Sequence, residues 1–273
     1  MIPDSISRRK LLWGAGVASV TTLAGCSTAA AQRPTLVSPV RSTAENPGRL
    51  LAAPTPAQAA REVGGETDED EHANRSIIAT AVVPQVQVFA EPSSDAEITH
   101  TMDHPTITNG DLVFLTVRNA GEWHEVLLPV RPNGSTGWIR DSDVALAAHM
   151  FRIQVDLEDF RMRVFEDGQT IFDAVAGVAS NNTPTPGGVY YLTELLAPII
   201  PNSAYGAFAY GLSGFSEVFE TFNGGPGQLG IHGTNDPDTL GTAVSAGCIR
   251  LHNEDIARLA TYLPLGVPVT VTA

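Results

Sequence analysis

Short apolar runs, separated by turns rich in Gly, Pro and Asn, make up the chain from about residue 77 onward. Two of them, Leu112–Val117 and Trp123–Leu128, have the length and the β-branched or aromatic content of strands. In Arg152–Leu157 and Arg161–Phe165 polar and apolar residues alternate, as they do in strands with one buried face. The pattern predicts a mainly β protein built from two units in series, over residues 76–147 and 150–272.

The second unit combines strands with one helix. The Asp167-Gly168 pair lies between two apolar runs and predicts a tight β-hairpin turn. Apolar residues spaced three and four apart predict a helix over Asn253–Leu263, with Asn253 as its N-cap. The run Val267–Val271 contains a proline, which cannot donate to a sheet ladder, so it is expected to be an edge strand.

Residues 1–26 have the layout of an export signal. The basic cluster Arg8-Arg9-Lys10 precedes the apolar run Leu11–Leu23, which is too short to span a bilayer comfortably. The paired arginines resemble a twin-arginine signal. Leu23-Ala24-Gly25-Cys26 resembles a bacterial lipobox, in which the cysteine thiol receives the lipid and the chain is cut before it. We therefore expect lipidation at Cys26 and a membrane partner through that anchor.

An alternative to lipidation is cleavage near Ala29 or Ala31, with Cys26 discarded. A disulfide between the two cysteines of the chain is a further alternative for an exported protein. Lipidation and cleavage both leave Cys248 as a lone thiol.

Residues 27–75 are rich in Ala, Pro, Thr, Ser and charge, which predicts a disordered tether between the anchor and the folded units. A short helix over Pro56–Glu62 is compatible with the pattern. The acidic run Glu66–Glu71 could bind calcium, although a solvated spacer is the commoner use of such a run. The chain carries a formal net charge of -14, which argues against nucleic acid as a partner.

Candidate chemistry is concentrated between His232 and Arg250. A histidine can take the proton of the Cys248 thiol and return it to a leaving amine. Backbone N–H groups near Gly247 and Cys248 could bind an oxyanion. In an extended strand Arg250 lies on the same face as Cys248, where it could hold a carboxylate. These residues alone leave catalysis and a buried structural pair equally open. A zinc site with His252 as third ligand has weaker support, because no CxxC or HxxxH spacing accompanies it.

The segment His232-Gly233 together with Ser245-Ala246-Gly247-Cys248-Ile249-Arg250 resembles the signature of L,D-transpeptidases of the YkuD type. The resemblance extends to Thr183-Pro184-Thr185-Pro186-Gly187 and covers roughly Phe151 to Thr272. Ala246 departs from it, since members often carry His, Arg or Gly there. The first unit resembles a bacterial SH3-like barrel, on the turn before Gly137 and on Trp123, Leu127, Pro129 and Trp138.

The resemblance implies a small SH3-like barrel followed by a mostly β catalytic domain with one C-terminal helix. It implies that Cys248 attacks the carbonyl before the terminal D-alanine of a peptidoglycan stem peptide, and that an amine of a second stem resolves the thioester into a 3-3 cross-link. His232 would be the base, held by the carbonyl of Gly233. Ser245, Gly247 and Arg250 would bind substrate. No cofactor or metal is implied.

Other outcomes stay open. Water in place of the amine would make the protein an L,D-carboxypeptidase, and an amine of an envelope protein would make it an attachment enzyme. A catalytically inactive wall-binding lipoprotein is the non-enzymatic alternative. In this unit Tyr205 and Tyr210 are candidates for a lid, with core packing as the alternative. In the first unit Trp123 and Trp138 are candidates for a ligand groove, with a core or inter-domain role as the alternative. The expected location is the extracytoplasmic face of the membrane.

Overall fold

The computed structural model of the chain describes residues 35–36, 74–198, 200, 202–222 and 224–272. The predicted signal peptide, Cys26 and nearly all of the predicted tether lie outside these residues. Within the described part of the chain, no helix has the length and apolar content that a membrane span requires.

The first sheet is antiparallel and contains seven strands. These are β2 (Ser76–Ala81), β3 (Gln85–Phe89), β4 (Ile98–Asp103), β5 (Val113–Ala120), β6 (Trp123–Leu127), β7 (Thr136–Arg140) and β8 (Val144–His149). Their order in the sheet is β4-β3-β7-β6-β5-β2-β8. Its core is formed by apolar side chains from most of these strands, including Val88, Phe114, Val126 and Ile139. The mainly β character is confirmed, while the identification of this unit as SH3-like stays a prediction.

The second sheet contains nine strands. Its members are β1 (Thr35–Leu36), β9 (Phe151–Asp156), β10 (Arg161–Glu166), β11 (Gln169–Val175), β13 (Gly188–Ala197), β14 (Ala209–Phe215), β15 (Gln228–His232), β17 (Ile249–Arg250) and β18 (Pro268–Thr272). The order is β11-β10-β9-β18-β13-β14-β15-β17, and β1 pairs with β13. Two short strands, β12 (Val178–Ala179) and β16 (Ala243–Ser245), form a separate parallel pair. Two 3₁₀ turns lie at Asp141–Asp143 and Pro237–Thr239.

The predicted hairpin is present, because Asp167 and Gly168 alone connect β10 and β11. Both have positive φ, at 49° and 76°, as a tight turn that matches the strand twist requires.

Three expectations need correction. Strand β18 lies between β9 and β13, so it is not an edge strand. Its ladder with β9 begins at Val269, so Pro268 costs no hydrogen bond with that strand. Thr35–Leu36, within the predicted tether, pair with the backbone of β13. Strand β18 pairs only with Gly188–Tyr191, so the later part of β13 has backbone N–H and C=O groups available for this pairing.

The third correction concerns the helix. The described residues contain one α-helix, α1, which spans Asn253–Leu259 and is shorter than predicted. His252 is its N-cap, and Asn253 is the first helical residue. Ile256 and Leu259 are buried against the second sheet, where they join the largest apolar core. That core lies beneath β15 and β17 and supports the strands that carry the candidate chemistry.

The two sheets contact each other through a smaller apolar cluster. Ile78, Val113 and Leu127 of the first sheet pack with Tyr191 of β13, which is fully buried. A hydrogen bond of 2.8 Å from the Thr108 hydroxyl to the Glu194 carboxylate joins the sheets at a second point. Burial raises the pKa of Glu194, and the Thr108 bond opposes that shift.

Candidate active site

The predicted base is the last residue of β15, and the predicted nucleophile comes directly before the neighbouring parallel strand β17. Strands β15 and β17 pair with Ile231 opposite Ile249 and His232 opposite Arg250. Continued by one residue, this register places Cys248 opposite Gly230, and the backbone of Gly230 is hydrogen-bonded to the Cys248 thiol. Residues two apart on a strand share a face. Cys248 and Arg250 therefore face the same side as His232, and all three line one cavity.

The imidazole of His232 is buried and has a fixed tautomer. Its Nδ1 lies 2.6 Å from the carbonyl oxygen of Gly233, and a carbonyl can only accept, so Nδ1 carries the proton. Nε2 is then free to take a proton. Burial lowers the pKa of His232 to about 4, with a further lowering by the Arg250 charge and an opposing effect of the Gly233 bond. The imidazole is therefore a neutral base at neutral pH.

The Cys248 side chain is half-buried at the cavity. Burial raises the pKa of its thiol, while the hydrogen bond from Gly230 and the charge of Arg250 lower it. Burial is the largest of these effects, so the resting pair is a neutral thiol beside a neutral imidazole. Nucleophilic attack from this state requires transfer of the thiol proton to a base.

The turn Ser245–Cys248 is held by hydrogen bonds to its own backbone and to a neighbouring loop. The Ser245 hydroxyl donates to the carbonyl of Cys248 at 2.5 Å and accepts from the N–H of Gly247. Gly247 has φ of +132°, a region that favours glycine. Because the Gly247 N–H is used within the turn, the N–H of Cys248 remains the better candidate for an oxyanion donor.

The Thr-Pro-Thr-Pro-Gly motif forms the neighbouring loop. The Thr185 hydroxyl is buried and donates to the carbonyl of Gly247 at 2.8 Å. The Thr183 hydroxyl donates to the carbonyl of Ser245 at 3.1 Å. Two carbonyls of the Cys248 turn thereby accept hydrogen bonds from side chains 62 residues away in the sequence.

Asn253 connects the base to the segment that covers it. Its Oδ1 accepts the N–H groups of Ala207 and Thr234, each at 3.1 Å. An added Cβ on Gly233 would lie 2.1 Å from that oxygen, and one on Gly206 would lie 2.0 Å from it. Only glycines allow this approach. The contact fixes the path of the chain just after His232, where the Gly233 carbonyl holds the imidazole.

Arg250 is half-buried, and its Nε is a buried atom with no hydrogen-bond partner among the described residues. Its backbone exchanges two hydrogen bonds with Gly177, which anchors the strand, and the guanidinium lines the cavity. An arginine with an unpaired N–H at a cavity can bind a carboxylate.

The two lid candidates have different positions. The Tyr205 ring lies 4.9 Å from the His232 ring and lines the cavity. Tyr210 lies in the core, where its hydroxyl donates to the carbonyl of Leu263, so the lid interpretation is wrong for Tyr210. In the first sheet, Trp138 is buried and Trp123 packs edge-on against Phe89.

Sequence reasoning missed a second part of the cavity wall. Phe219, Phe222 and Ser216 line it, and all three belong to the connection between β14 and β15. No motif marked this segment, although two aromatic residues in a Gly-rich loop could have drawn attention to it. Within the described residues, no group of three or more His, Cys, Asp or Glu side chains could hold a metal ion, so the zinc alternative gains no support.

Part of the chain is similar in sequence to known proteins. The L,D-transpeptidase catalytic domain of the YkuD family matches residues 150–271. A protein of Bacillus licheniformis that carries the name L,D-transpeptidase YkuD is 33% identical over 122 residues, which is 45% of this chain and 66% of that protein. Its namesake in Bacillus subtilis is 38% identical over 89 residues, or 33% of this chain and 46% of the relative. The chain thus covers less than two thirds of the length of these relatives.

Solved structures of L,D-transpeptidases are also similar to the chain. One from Mycobacterium tuberculosis has a TM-score of 0.40 and 17% identity, over 59% of this chain and 90% of its own. One from Enterococcus faecium has a TM-score of 0.35 and 20% identity, over 45% of this chain and 49% of its own. Residues 150–271 are thus similar to the L,D-transpeptidase catalytic domain of the YkuD family.

Proposed function

We propose that this protein is an L,D-transpeptidase of peptidoglycan that forms 3-3 cross-links through a thioester on Cys248. The observation that carries the proposal is the pairing of β15 with β17. It brings a thiol and an imidazole with a free Nε2 to one cavity. The family match of residues 150–271 supports the reaction class.

In the first half-reaction, Nε2 of His232 takes the thiol proton as Sγ of Cys248 bonds to the carbonyl carbon between the third stem residue and D-alanine. The N–H of Cys248 is the candidate donor to the oxyanion. His232 then returns the proton to the leaving nitrogen as the C–N bond breaks. D-alanine departs and the stem stays attached as a thioester.

In the second half-reaction, an amine of the third residue of another stem attacks the thioester carbonyl. His232 accepts a proton from that amine, the C–S bond breaks, and the proton returns to Sγ. The products are a cross-linked dimer and the free thiol. With water in place of the amine, the same residues would give a shortened stem.

The other predicted site residues have narrower roles in this scheme. The unpaired Nε of Arg250 supports binding of a substrate carboxylate, such as that of the terminal D-alanine. The two hydrogen bonds of Ser245 within the turn support a positioning role for its hydroxyl. Gly247 supplies the backbone geometry of the turn, and Gly233 supplies the carbonyl that orients the base.

We further propose that the protein acts outside the cytoplasmic membrane, exported through the segment over residues 1–26 and anchored by a lipid on Cys26. The basic cluster, short apolar run and lipobox support this proposal. The substrate lies on the same side of the membrane. Replacement of Cys26 by Ala would then release the protein from membrane fractions, and retention of the variant there would contradict the anchor.

The reaction is tested with a purified disaccharide-tetrapeptide, with the products identified by mass spectrometry beside the Cys248→Ala variant. The expected product is a dimer that has lost one D-alanine and is absent with the variant. Loss of D-alanine without a dimer would replace the transpeptidase with a carboxypeptidase. Absence of any Cys248-dependent product would contradict the proposal and favour a wall-binding protein.

A further inference from the structure

Part of the wall of the Cys248 cavity is formed by the connection between β14 and β15, residues 216–222 and 224–227, which we name the flap. Its Ser216, Phe219 and Phe222 line the cavity that holds Cys248. The flap closes on itself through a bond of 2.8 Å from the N–H of Ser216 to the carbonyl of Gly227. The Phe219 and Phe222 rings pack against each other at 5.5 Å. A substrate that occupies this cavity beside Cys248 would contact this segment.

Residues between two strands of the first sheet hold the flap. Arg131, in the connection between β6 and β7, donates to three carbonyls: those of Ser216 at 2.9 Å, Phe219 at 2.8 Å and Pro226 at 3.0 Å. Its guanidinium also lies 4.7 Å above the ring of Phe215, where β14 ends. The planar guanidinium group has five N–H donors and can bind several carbonyls at once, which the ammonium group of lysine does less well.

Asn133 adds two reciprocal bonds at the base of the flap. Its Nδ2 donates to the carbonyl of Phe215 and its Oδ1 accepts the N–H of the same residue, both at 2.8 Å. The residues that Arg131 and Asn133 contact lie 82 to 95 positions later in the chain. All five bonds are made to backbone groups of the flap and its base, so they fix the path of the segment independently of its side chains.

Gly227 makes the close contact possible. An added Cβ there would lie 2.3 Å from the carbonyl oxygen of Phe219 and 3.3 Å from a terminal nitrogen of Arg131. Its φ of +69° also favours glycine. Gly227 is therefore the flap residue whose lack of a side chain lets its backbone lie close to both the Phe219 carbonyl and Arg131.

We propose that Arg131 and Asn133 are positioning residues of the active site, and that the first sheet is a working part of the catalytic unit. Through the flap, the connection between β6 and β7 sets the width of the cavity and the position of Phe219 and Phe222 beside the stem peptide. The identity of the substrate, a stem peptide, rests on the proposed function. The contact between Arg131 and the flap can be tested separately. Removing the contact would loosen the flap while leaving Cys248 and His232 in place.

The test compares Arg131→Met with Arg118→Met. Both variants lose one arginine of the first sheet, but Arg118 pairs with Glu125 and lies over Trp138 within that sheet. Hydrogen exchange is followed for peptides that cover the flap. Arg131→Met should exchange about tenfold faster there than the unmodified protein, with the first sheet unchanged. Equal exchange in the flap of both variants would overturn the proposal.

Kinetics on the disaccharide-tetrapeptide give the second readout. Arg131→Met should lower kcat/KM about tenfold, with most of the change in KM, because the substrate wall moves while the reacting groups do not. Acylation of Cys248 by a carbapenem, which is smaller than the stem peptide, should change less than about threefold. The kcat/KM of Arg131→Lys should fall between those of the unmodified protein and Arg131→Met. Asn133→Ala should also lower kcat/KM, with most of the change in KM. An unchanged KM in Arg131→Met would contradict a positioning role.

Failure of the proposed function has a different signature. If the unmodified protein makes no product from the tetrapeptide, the cross-linking proposal fails, and the exchange and carbapenem measurements still decide the role of Arg131. If the product forms and the flap exchanges normally in Arg131→Met, only the positioning proposal fails.

Discussion

The two walls of the cavity are held in different ways. The Cys248 turn is fixed from within its own domain by Thr183, Thr185 and Ser245, whose hydrogen bonds are buried or half-buried. The flap is fixed from the first sheet by Arg131, which is largely exposed, and by Asn133. Buried hydrogen bonds are costly to leave unmade, whereas exposed ones are readily replaced by water. The wall that contains Cys248 is thus built into the fold, and we expect the flap to loosen without unfolding of the protein.

The largest effect in this comparison is expected for Thr185→Val. The substitution keeps the shape of the side chain and leaves the buried Gly247 carbonyl without its donor. The loss should destabilise the protein by about 1–3 kcal/mol and slow acylation of Cys248 about tenfold. Thermal unfolding and carbapenem acylation measure the two changes.

Thr261→Val is the control for that variant, because its hydroxyl bonds the Arg258 carbonyl at an exposed site. It should leave both measurements nearly unchanged. Arg131→Met should leave the melting temperature within about 2 °C, since its bonds are largely exposed. If Arg131→Met lowered the melting temperature as much as Thr185→Val, the contrast between the walls would not hold.

A smaller effect is expected for Asn253→Ala, which removes the acceptor shared by Ala207 and Thr234. We expect a loss of about 1 kcal/mol in stability and a decrease of about fivefold in the acylation rate, because the Gly233 carbonyl that orients His232 shifts. Asn253→Asp keeps an oxygen at the same place and should restore most of the rate. Equal rates for both variants would contradict a role for that oxygen.

The smallest effect concerns pH. His232 acts as a base only when neutral, and its pKa is lowered to about 4, so acylation of Cys248 should stay constant as the pH falls from 7 to about 5 and decline near pH 4. Arg250→Gln removes a positive charge that lowers this pKa, so the acid limb should move to higher pH. The normalised pH profile of carbapenem acylation measures both, with circular dichroism as a check that the protein stays folded. An acid limb near pH 6.5 in the unmodified protein would contradict the buried base.

The sequence was sufficient to predict the parts of the fold that depend on neighbouring residues. The hairpin at Asp167-Gly168 follows from the local preference of this pair for positive φ. The approximate place of α1 follows from the spacing of Ile256 and Leu259. A His–Cys pair could be predicted from one segment, since His232 and Cys248 are only 16 positions apart in the sequence.

Contacts between distant segments could not be predicted in this way. The local sequence predicts Asn253 as a helix cap, because capping depends on neighbouring residues. Its side-chain oxygen instead accepts hydrogen bonds from the N–H groups of Ala207 and Thr234. Val267–Val271 reads as an edge strand because of its proline, and only the sheet order shows that β18 is central. The bonds from Arg131 and Asn133 span more than 80 residues, and no local pattern marks either residue.

The most direct test of the central claim is the site and rate of acylation by a carbapenem, read by intact and peptide mass spectrometry. The thiol–imidazole pair predicts a single adduct on the peptide that contains Cys248. The adduct should be absent in Cys248→Ala, and in His232→Ala it should form at least a hundredfold more slowly. An adduct at another residue, or an unchanged rate without His232, would contradict the account.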